Sequence, residues 1–324
     1  MSELNQLKQV IKEEMQTFEP FFKARLKTDI ALLDIITTYI IRRKGKQIRP
    51  MLVFLSARLN GTVTEATHVA ASLIEILHTA TLIHDDVVDE TYQRRGFFSI
   101  NALWKSKIAV LVGDFYLSKG LLTALDYDQV GVLKLVSQAV KAMSEGELLQ
   151  IEKSRKLDIT ESIYFDIIRK KTASLLASCT ASGALTSGAD NDHVENMKLF
   201  GENLGIAFQI RDDLFDYERN GIIGKPTGND LKEKKMTLPI IYVLNNATSS
   251  EKRELLRTIR KHHKENTKIQ KIISLVEEKG GLDYAREKMM EYKNRAIDCL
   301  TIYPDSDVKT SMIQLVDYVI ERSK

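Results

Sequence analysis

The sequence has little of what a disulfide-stabilised or loop-rich protein needs. It contains two cysteines, five prolines and 16 glycines among 324 residues, and aromatic residues make up 7%. Two cysteines do not build a disulfide framework, and so few prolines and glycines leave little room for disorder or for a turn-rich β fold. Cys179 and Cys299 lie in apolar sequence, so we expect both to be reduced core residues.

A strong charge of one sign is also missing. The 47 basic and 44 acidic side chains leave a net charge of +3, so we expect no nucleic-acid partner and only local anion binding. Apolar stretches such as 30–41 fall short of the roughly 20 residues that cross a bilayer. The N-terminal residues carry no signal-peptide pattern. We therefore expect a cytoplasmic protein without a transmembrane segment.

Apolar residues recur at steps of three and four, which indicates an all-α protein. None of the breaks resembles a flexible linker, so residues 1–324 are expected to form one domain. The predicted helices are 28–43, 64–91, 105–125, 129–153, 160–186, 192–218, 233–245, 250–263, 267–278, 282–300 and 306–322.

An aspartate-rich cluster ends the second of these helices. Asp85 and Asp89 are four residues apart, so their carboxylates project from one helix face about 6 Å apart along the axis. Asp86 lies between them in sequence, and His78 shares the face of Asp85. A single cluster of this kind is as compatible with a solvated acidic helix end as with a site. Like charges repel at this spacing, and a bound cation relieves that repulsion.

A second cluster repeats the pattern two-fifths of the chain later, with Asp212, Asp213 and Asp216 preceded by Gln209. Both clusters follow apolar runs, at helix ends where the helix dipole disfavours acid. Magnesium prefers oxygen ligands and often combines one or two carboxylates with substrate phosphates. The two rows therefore predict facing helices that bind Mg²⁺ together with a phosphorylated substrate.

Basic residues accompany each cluster. An arginine side chain can bind two phosphate oxygens at once, and a lysine side chain supplies a point charge. Turns that contain both residues therefore suit a diphosphate. Either turn alone is more often a solvated surface feature, but the two together favour a site. No Walker A loop, dinucleotide turn, serine nucleophile elbow or zinc motif competes with this interpretation. The basic residues and their polar neighbour are Lys46, Arg49, Arg94, Arg95, Lys171, Thr172, Lys225 and Lys235.

The order and spacing of these motifs resemble the trans-isoprenyl diphosphate synthases, in particular the long-chain polyprenyl type typified by heptaprenyl and octaprenyl diphosphate synthases. The resemblance covers nearly the whole chain. It implies one large helical bundle of the isoprenoid synthase type around a deep apolar central cavity. The matching segments are Gly45-Lys46-x-x-Arg49-Pro50, Glu75-x-x-His78, His84 to Asp89, Arg94-Arg95-Gly96, Gly113-Asp114, Gly146-Glu147-x-x-Gln150, Lys171-Thr172, Phe208 to Asp216, Gly224 to Asp230 and Lys235-x-Thr237-Leu238-Pro239.

The resemblance also implies roles. Asp85, Asp89 and Asp212 would ligate magnesium directly, and Asp86, Asp213 and Asp216 through water, with three ions around a bound diphosphate. An allylic diphosphate would be held by Arg94, Lys171, Lys225 and Lys235, supported by Thr172 and Gln209. Isopentenyl diphosphate would be held by Lys46, Arg49, His78 and Arg95. Two positions depart from the family pattern: Gln47-Ile48 stands in the first basic turn, and Lys234 stands where glycine is usual.

Such an enzyme condenses isopentenyl diphosphate with an allylic diphosphate such as farnesyl diphosphate to give an all-trans polyprenyl diphosphate for quinone side chains. In the family, residues before the first aspartate cluster form the floor of the product tunnel. Here Ala80 and Thr81 are small, so the tunnel is expected to continue past Leu77 and Ile74. Successive wall residues on this helix are one turn, about 5.4 Å, apart. We expect a product of about six to eight or more isoprene units.

Other functions stay open at this point. A terpene cyclase uses one aspartate-rich helix, but usually pairs it with a different metal motif. A regulatory or dependent prenyl-binding subunit of a hetero-oligomeric synthase usually loses its acidic motifs, and all six aspartates are present. A shorter-chain geranylgeranyl diphosphate synthase shares all the motifs. The resemblance implies a homodimer and does not exclude a small second subunit.

Overall fold

The computed structural model describes residues 9–43, 45–94, 96–217 and 228–321, with the backbone alone at Arg94 and Glu321. Its described residues form two compact units. The first unit comprises residues within 1–137, 178–198 and 303–315, and the second comprises residues within 138–177, 199–302 and 316–324. The predicted all-α class is confirmed. The expectation of one domain over 1–324 stays a prediction.

Helices account for nearly all regular structure. The early helices are α1 Lys12–Arg25, α2 Ala31–Arg42, α3 Ile48–Asn60, α4 Glu65–Val88 and α5 Ile100–Asp126, with a hairpin of β1 Gln93–Arg94 and β2 Phe97–Phe98 before α5. The later helices are α6 Val130–Lys156, α7 Glu161–Ile168, α8 Ser174–Thr186, α9 Asn191–Phe215, α10 Asn229–Lys232, α11 Leu238–Asn246, α12 Ser249–His262, α13 Asn266–Glu278, α14 Gly281–Asp298 and α15 Asp307–Glu321.

Several elements differ from the prediction. Helix α3 was not predicted, because every residue from Pro50 to Ala57 is buried and the segment therefore shows no apolar stripe. Helix α1 was also missed, since Pro20 lies inside it and it buries little besides Phe18. The predicted helix 160–186 is interrupted by a π-helical turn, Arg169–Ala173, between α7 and α8. The two-residue hairpin was not predicted either.

Close packing of α4 against α5 forms the core of the first unit. A Cβ added at Gly113 would lie 2.2 Å from His84 Nε2, and one at Gly120 would lie 2.9 Å from Leu77 Cδ2. Both positions therefore require glycine for the approach of the two helices. The buried cluster between α1, α2, α4 and α5 consists of Leu26, Ile36, Ile76, Ala80, Ile83, Ile100, Ala109, Val112 and Tyr116.

Glycines have a similar role around the π-helical turn of the second unit. A Cβ at Gly205 of α9 would lie 2.4 Å from the Ala173 Cα atom. One at Gly146 of α6 would lie 2.9 Å from the backbone nitrogen of Lys171. The turn that carries Lys171 and Thr172 is thus held between two helices at backbone distance.

Two helices are long and apolar enough to cross a membrane by length and composition alone. Within α4 67% of the apolar window is buried, whereas in α5 only 39% is buried. Core helices of soluble proteins pass the same test, and the burial of α4 identifies it as a core helix. Helix α5 differs, because it leaves a row of apolar side chains exposed.

Candidate functional site

The first aspartate cluster lies at the C-terminal end of α4 in the first unit. Asp85 and Asp89 are exposed, whereas Asp86 is 4% exposed and faces the interior. The backbone N–H of Asp89 donates to the carbonyl oxygen of Asp85 at 2.8 Å, so both belong to the last helical turn. Asp85 and Asp89 are thus both exposed in the last turn of the helix, and their predicted role as shared metal ligands stays a prediction.

His84 is fixed beside this cluster by α5. Its Nε2 atom lies 3.3 Å from the Val110 carbonyl oxygen and 3.5 Å from Asp114 Oδ1. Because a side chain at Gly113 would occupy the space of the imidazole, the Gly113-Asp114 pair both admits and orients His84. The ring in turn supports the helical turn that carries Asp85. His84, Gly113 and Asp114 occur in the matching sequence segments, but the sequence alone predicts no role for them.

The predicted isopentenyl diphosphate residues also lie in the first unit. Lys46 is exposed before α3, and Arg49 is in its first turn. The guanidinium Nη1 atom of Arg49 is 3.9 Å from Glu75 Oε2, and Glu75 lies one helical turn before His78 on α4. The Arg94 side chain and the whole of Arg95 fall outside the described residues, so their predicted roles stay predictions.

A cavity of about 140 Å³ adjoins these residues in the first unit. Its walls are mainly apolar and come from α1, α2, α4 and the hairpin. Gln47, His78 and Asp86 are among its polar lining residues. We call this space the first-unit cavity.

The second aspartate cluster ends α9 in the second unit. Asp213 is buried, and its carboxylate accepts a hydrogen bond from the Tyr164 hydroxyl at 2.6 Å and another from Gln209 Nε2 at 2.9 Å. Burial, together with the negative charge of Asp230, raises the pKa of Asp213 to about 7. An attracting cation would lower that pKa again.

Asp216 organises the residues that follow. Its carboxylate accepts hydrogen bonds from the backbone N–H groups of Asn229 at 2.9 Å and Asp230 at 3.0 Å. Its carbonyl oxygen accepts one from the N–H of Gly228 at 2.9 Å. Burial and the charge of Asp216 raise the pKa of Asp230 to about 6. Asp230 is therefore a further acidic group of this site.

Lysines and amides complete the second-unit site. Lys171 Nζ is 2.5 Å from Glu147 Oε2 and donates to Gln150 Oε1 at 3.3 Å. The Thr172 hydroxyl donates to Gln209 Oε1 at 2.6 Å. A cavity of about 110 Å³ adjoins these groups, and its polar lining is Gln150, Tyr164, Lys171, Thr172, Gln209, Asp213, Asp230, Lys235 and Thr237. The second unit thus brings Lys171, Thr172, Gln209, Asp213 and Lys235 to one cavity, and their roles stay predictions.

The roles of some side chains at this site could not be predicted from the sequence. Tyr164 is a lone tyrosine in an amphipathic helix, and only the folded structure places its hydroxyl on Asp213. Glu147, Gln150 and Asp230 occurred in recognised motifs but were given no role. Lys234 has a φ of 61°, so the left-handed conformation expected where glycine is usual is present with a lysine.

Three further predictions concern Lys225, the tunnel floor and the pairing of the two acidic rows. Lys225 lies outside the described residues. The predicted tunnel-floor residues Ile74, Leu77 and Ala80 are buried on α4, and the hydroxyl of half-buried Thr81 donates to the His78 carbonyl oxygen at 2.8 Å. The pairing of the two acidic rows stays a prediction, since the first row belongs to the first unit and the second row to the second.

The donor set fits magnesium. Every candidate ligand is a carboxylate oxygen, which is the donor that this ion prefers. Within residues 9–43, 45–94, 96–217 and 228–321, no group of three or more His, Cys, Asp or Glu side chains is close enough to hold a metal by itself. Sites that share a magnesium ion with substrate phosphates need only one or two protein carboxylates, so paired aspartates are sufficient.

Comparison with known proteins identifies the wider group. The polyprenyl synthetase family model matches residues 30–276. Octaprenyl diphosphate synthase of Escherichia coli (strain K12) is 32% identical over 322 residues, which cover 99% of both chains.

Solved structures agree with this. A decaprenyl diphosphate synthase from Rhodobacter capsulatus superposes with a TM-score of 0.92 at 35% identity, over 99% of each chain. A geranylgeranyl pyrophosphate synthase from Bacteroides thetaiotaomicron has a TM-score of 0.84 at 37% identity, over 99% of this chain and all of the other. The chain therefore belongs to the polyprenyl synthetase family and has the isoprenoid synthase fold.

Proposed function

We propose that this protein is a magnesium-dependent trans-polyprenyl diphosphate synthase. It joins isopentenyl diphosphate to an allylic diphosphate repeatedly and releases an all-trans polyprenyl diphosphate of about six to eight or more isoprene units, in keeping with a tunnel that deepens by about 5.4 Å per helical turn. The observation that carries the proposal is the second-unit cavity, where Lys171 and Lys235 stand beside Asp213 and Asp230. Such a mixture of cations and carboxylates suits a metal-bound diphosphate.

Separate sets of residues are proposed to bind the two diphosphate substrates. Asp85, Asp89 and Asp212 are the proposed direct ligands of three magnesium ions, with Asp86, Asp213 and Asp216 acting through water. Bound magnesium would neutralise negative charge on the leaving diphosphate. Lys171, with Thr172 on Gln209, orients the allylic diphosphate. Its further proposed ligands are Arg94, Lys225 and Lys235.

The second substrate needs no metal. Lys46, Arg49, His78 and Arg95 are proposed to hold isopentenyl diphosphate by charge and hydrogen bonds. The C–O bond of the allylic diphosphate breaks first and leaves an allylic carbocation, which the double bond of isopentenyl diphosphate attacks to form the new C–C bond. The departing diphosphate accepts the proton that is lost. An apolar interior excludes water from the carbocation.

The direct test is elongation. Purified protein is incubated with farnesyl diphosphate, labelled isopentenyl diphosphate and Mg²⁺, and the dephosphorylated products are separated by chromatography. We expect a ladder of products that ends in a long chain. Asp85→Asn should reduce the rate about 100-fold or more by removing a proposed metal ligand. The control Asp126→Asn, which changes an exposed carboxylate at the end of α5, should match wild type.

No elongation with or without a partner protein would contradict the enzyme assignment. Elongation only with a partner would identify a dependent subunit of a hetero-oligomeric synthase. A product of four isoprene units would favour the second candidate, a geranylgeranyl diphosphate synthase, which is supported by the 37% identity to such an enzyme.

Product length should depend on Ala80. Ala80→Phe places a ring where the proposed tunnel floor lies, so we expect shorter products than wild type forms. Overpacking of this buried position should also cost about 1–3 kcal/mol of stability. The matched control is Thr79→Phe on the neighbouring position, whose side chain faces the first-unit cavity. An unchanged product from Ala80→Phe, or equal shortening by Thr79→Phe, would reject the floor assignment.

A homodimer is proposed from the exposed face of α5. Apolar helix faces of this extent on soluble proteins usually mark an interface. A second copy of the chain is the proposed partner, and the location of the dimer in the cytoplasm is part of the same proposal. The exposed side chains of this face are Val110, Leu111, Leu117, Leu121, Leu122 and Leu125.

Light scattering with size-exclusion chromatography tests the dimer. Wild type should have twice the chain mass of 36.8 kDa. The double variant Leu111→Glu/Leu122→Glu should dissociate to monomer, since two buried carboxylates would lack partners. The control Ile302→Glu changes an equally exposed apolar residue elsewhere and should stay dimeric. A monomeric wild type at micromolar concentration would contradict the proposal.

The raised pKa of Asp213 makes the stability of the metal-free protein depend on pH. Its folded value of about 7 exceeds the unfolded value of about 3.9. The stabilisation is therefore complete below about pH 4 and is lost as the pH rises through 7. Asp213→Asn should gain roughly 2–3 kcal/mol relative to wild type between pH 5 and 8, measured by urea unfolding in EDTA. Parallel stability curves would show that the carboxyl ionises normally.

A further inference from the structure

A series of hydrogen bonds joins three elements of the second unit. The Tyr164 hydroxyl of α7 donates to Asp213 Oδ2 of α9 at 2.6 Å. On the same helix as Asp213, Gln209 Nε2 donates to Asp213 Oδ1 at 2.9 Å. Gln209 Oε1 in turn accepts a hydrogen bond at 2.6 Å from the hydroxyl of Thr172, which lies on the π-helical turn. We call Tyr164, Asp213, Gln209 and Thr172 the network.

The direction of each hydrogen bond in the network follows from the chemistry of its groups. Asp213 accepts one bond at each carboxylate oxygen, from Tyr164 and from Gln209. With its Nε2 atom on Asp213, Gln209 can offer only its carbonyl oxygen to Thr172. The Thr172 hydroxyl has a single proton and is therefore the donor in that bond. The orientation of Thr172 thus depends on Asp213, two hydrogen bonds away.

Tyr164 and Asp213 form the buried end of the network. Their side chains belong to residues that are 3% and 6% exposed, so water is largely excluded from the hydrogen bond between them. The Tyr164 ring packs in the apolar core of the second unit and meets the ring of Phe165 edge-on, with centroids 5.4 Å apart. Burying a hydroxyl in such surroundings is costly unless it is hydrogen-bonded. Its bond to Asp213 is therefore what allows a tyrosine at this position.

The other end of the network lies beside a lysine of the proposed allylic site. Thr172 follows Lys171 in the π-helical turn, which does not have the regular hydrogen bonds of an α-helix. The bond from Thr172 to Gln209 ties this turn to α9. All four network residues line the second-unit cavity together with Lys171. The network therefore connects the core of this unit to the turn that presents Lys171.

We propose that Tyr164 is a positioning residue for the allylic diphosphate. The inference rests on the proposed function. Acting through Asp213 and Gln209, the Tyr164 hydroxyl holds Thr172 and the turn that presents Lys171. Binding groups must be kept within about 0.5 Å of their productive positions by the residues that support them. Removing the Tyr164 hydroxyl should therefore weaken binding of the allylic diphosphate.

The effect should be confined to one of the two substrates. Among the proposed ligands of isopentenyl diphosphate, Lys46, Arg49 and His78 lie in the first unit, whereas the whole network lies in the second. A change in the network should thus leave the binding of isopentenyl diphosphate as in wild type.

Tyr164→Phe removes the hydroxyl and keeps the ring in the core. One hydrogen bond corresponds to a change of about 3- to 10-fold in an equilibrium constant. We expect the KM for farnesyl diphosphate, and the Kd for its non-cleavable analogue in Mg²⁺, to rise by that factor. The values of kcat and of KM for isopentenyl diphosphate should stay unchanged, because the lost interaction is made equally in the ground state and the transition state.

A double variant tests whether Tyr164 acts through Thr172. Thr172→Val removes the hydroxyl at the far end of the network and keeps the shape of the side chain, so it should also raise the Kd about 3- to 10-fold. Once that hydroxyl is gone, Tyr164→Phe should add nothing further, and the double variant should bind the analogue as Thr172→Val does. Independent effects would instead multiply to about 10- to 100-fold.

Tyr284→Phe is the matched control. The Tyr284 hydroxyl donates to Glu161 Oε1 at 2.7 Å, in the first turn of α7. This bond has the same chemistry as that of Tyr164 and also anchors α7, but Tyr284 does not line the cavity. The variant should leave both KM values as in wild type. Thermal unfolding of every variant separates a local effect from loss of the fold.

The experiment measures steady-state KM for both substrates, and Kd for the labelled farnesyl diphosphate analogue by equilibrium dialysis in Mg²⁺. A selective rise for the allylic ligand in Tyr164→Phe, with no further rise in the double variant, supports the proposal. Unchanged values, an equal rise for both substrates, an equal effect of Tyr284→Phe, or multiplied effects in the double variant would overturn it. Failure of wild type to elongate would instead reject the proposed function.

Discussion

Negative charge at two helix ends is the constraint on which the candidate site depends. Asp85 and Asp89 lie at the C-terminal end of α4, and Asp213 and Asp216 at that of α9, where the helix dipole is already negative. Like charges in each row repel one another. At Asp213, burial and the negative charge of Asp230 raise the pKa to about 7. A bound metal ion would attract the carboxylates and so offset the repulsion between them.

Around each aspartate row, glycines allow neighbouring parts of the chain to approach closely. Gly113 admits His84 beside the first row, and Gly146 and Gly205 hold the π-helical turn that presents Lys171 and Thr172. π-Helical turns occur often at functional sites, because the extra residue redirects side chains within an otherwise regular helix. Lys234 adopts a left-handed conformation two residues after a short helix, next to Lys235. Close backbone contact and a left-handed residue thus occur next to the proposed phosphate-binding residues Lys171, Thr172 and Lys235.

The helical class could be predicted from the sequence, because it depends on the local spacing of apolar residues. The candidate site residues could be named from their motifs, and their roles stay predictions. The i,i+4 pair of Asp85 and Asp89 defines a shared face in any helix, and the structure leaves both exposed. Helix α3 escaped prediction because burial on all sides removes the apolar period. The π-helical turn and the Tyr164 hydrogen bond were not predictable either, since each depends on a neighbouring helix distant in sequence.

We propose that each chain binds two diphosphates at once, one through metal and one through basic side chains alone. Isothermal titration calorimetry with isopentenyl diphosphate and a non-cleavable analogue of farnesyl diphosphate measures both binding events. We expect one molecule of each per chain in Mg²⁺, and binding of isopentenyl diphosphate alone in EDTA. Mutual displacement of the two ligands, or an equal metal requirement for both, would contradict it.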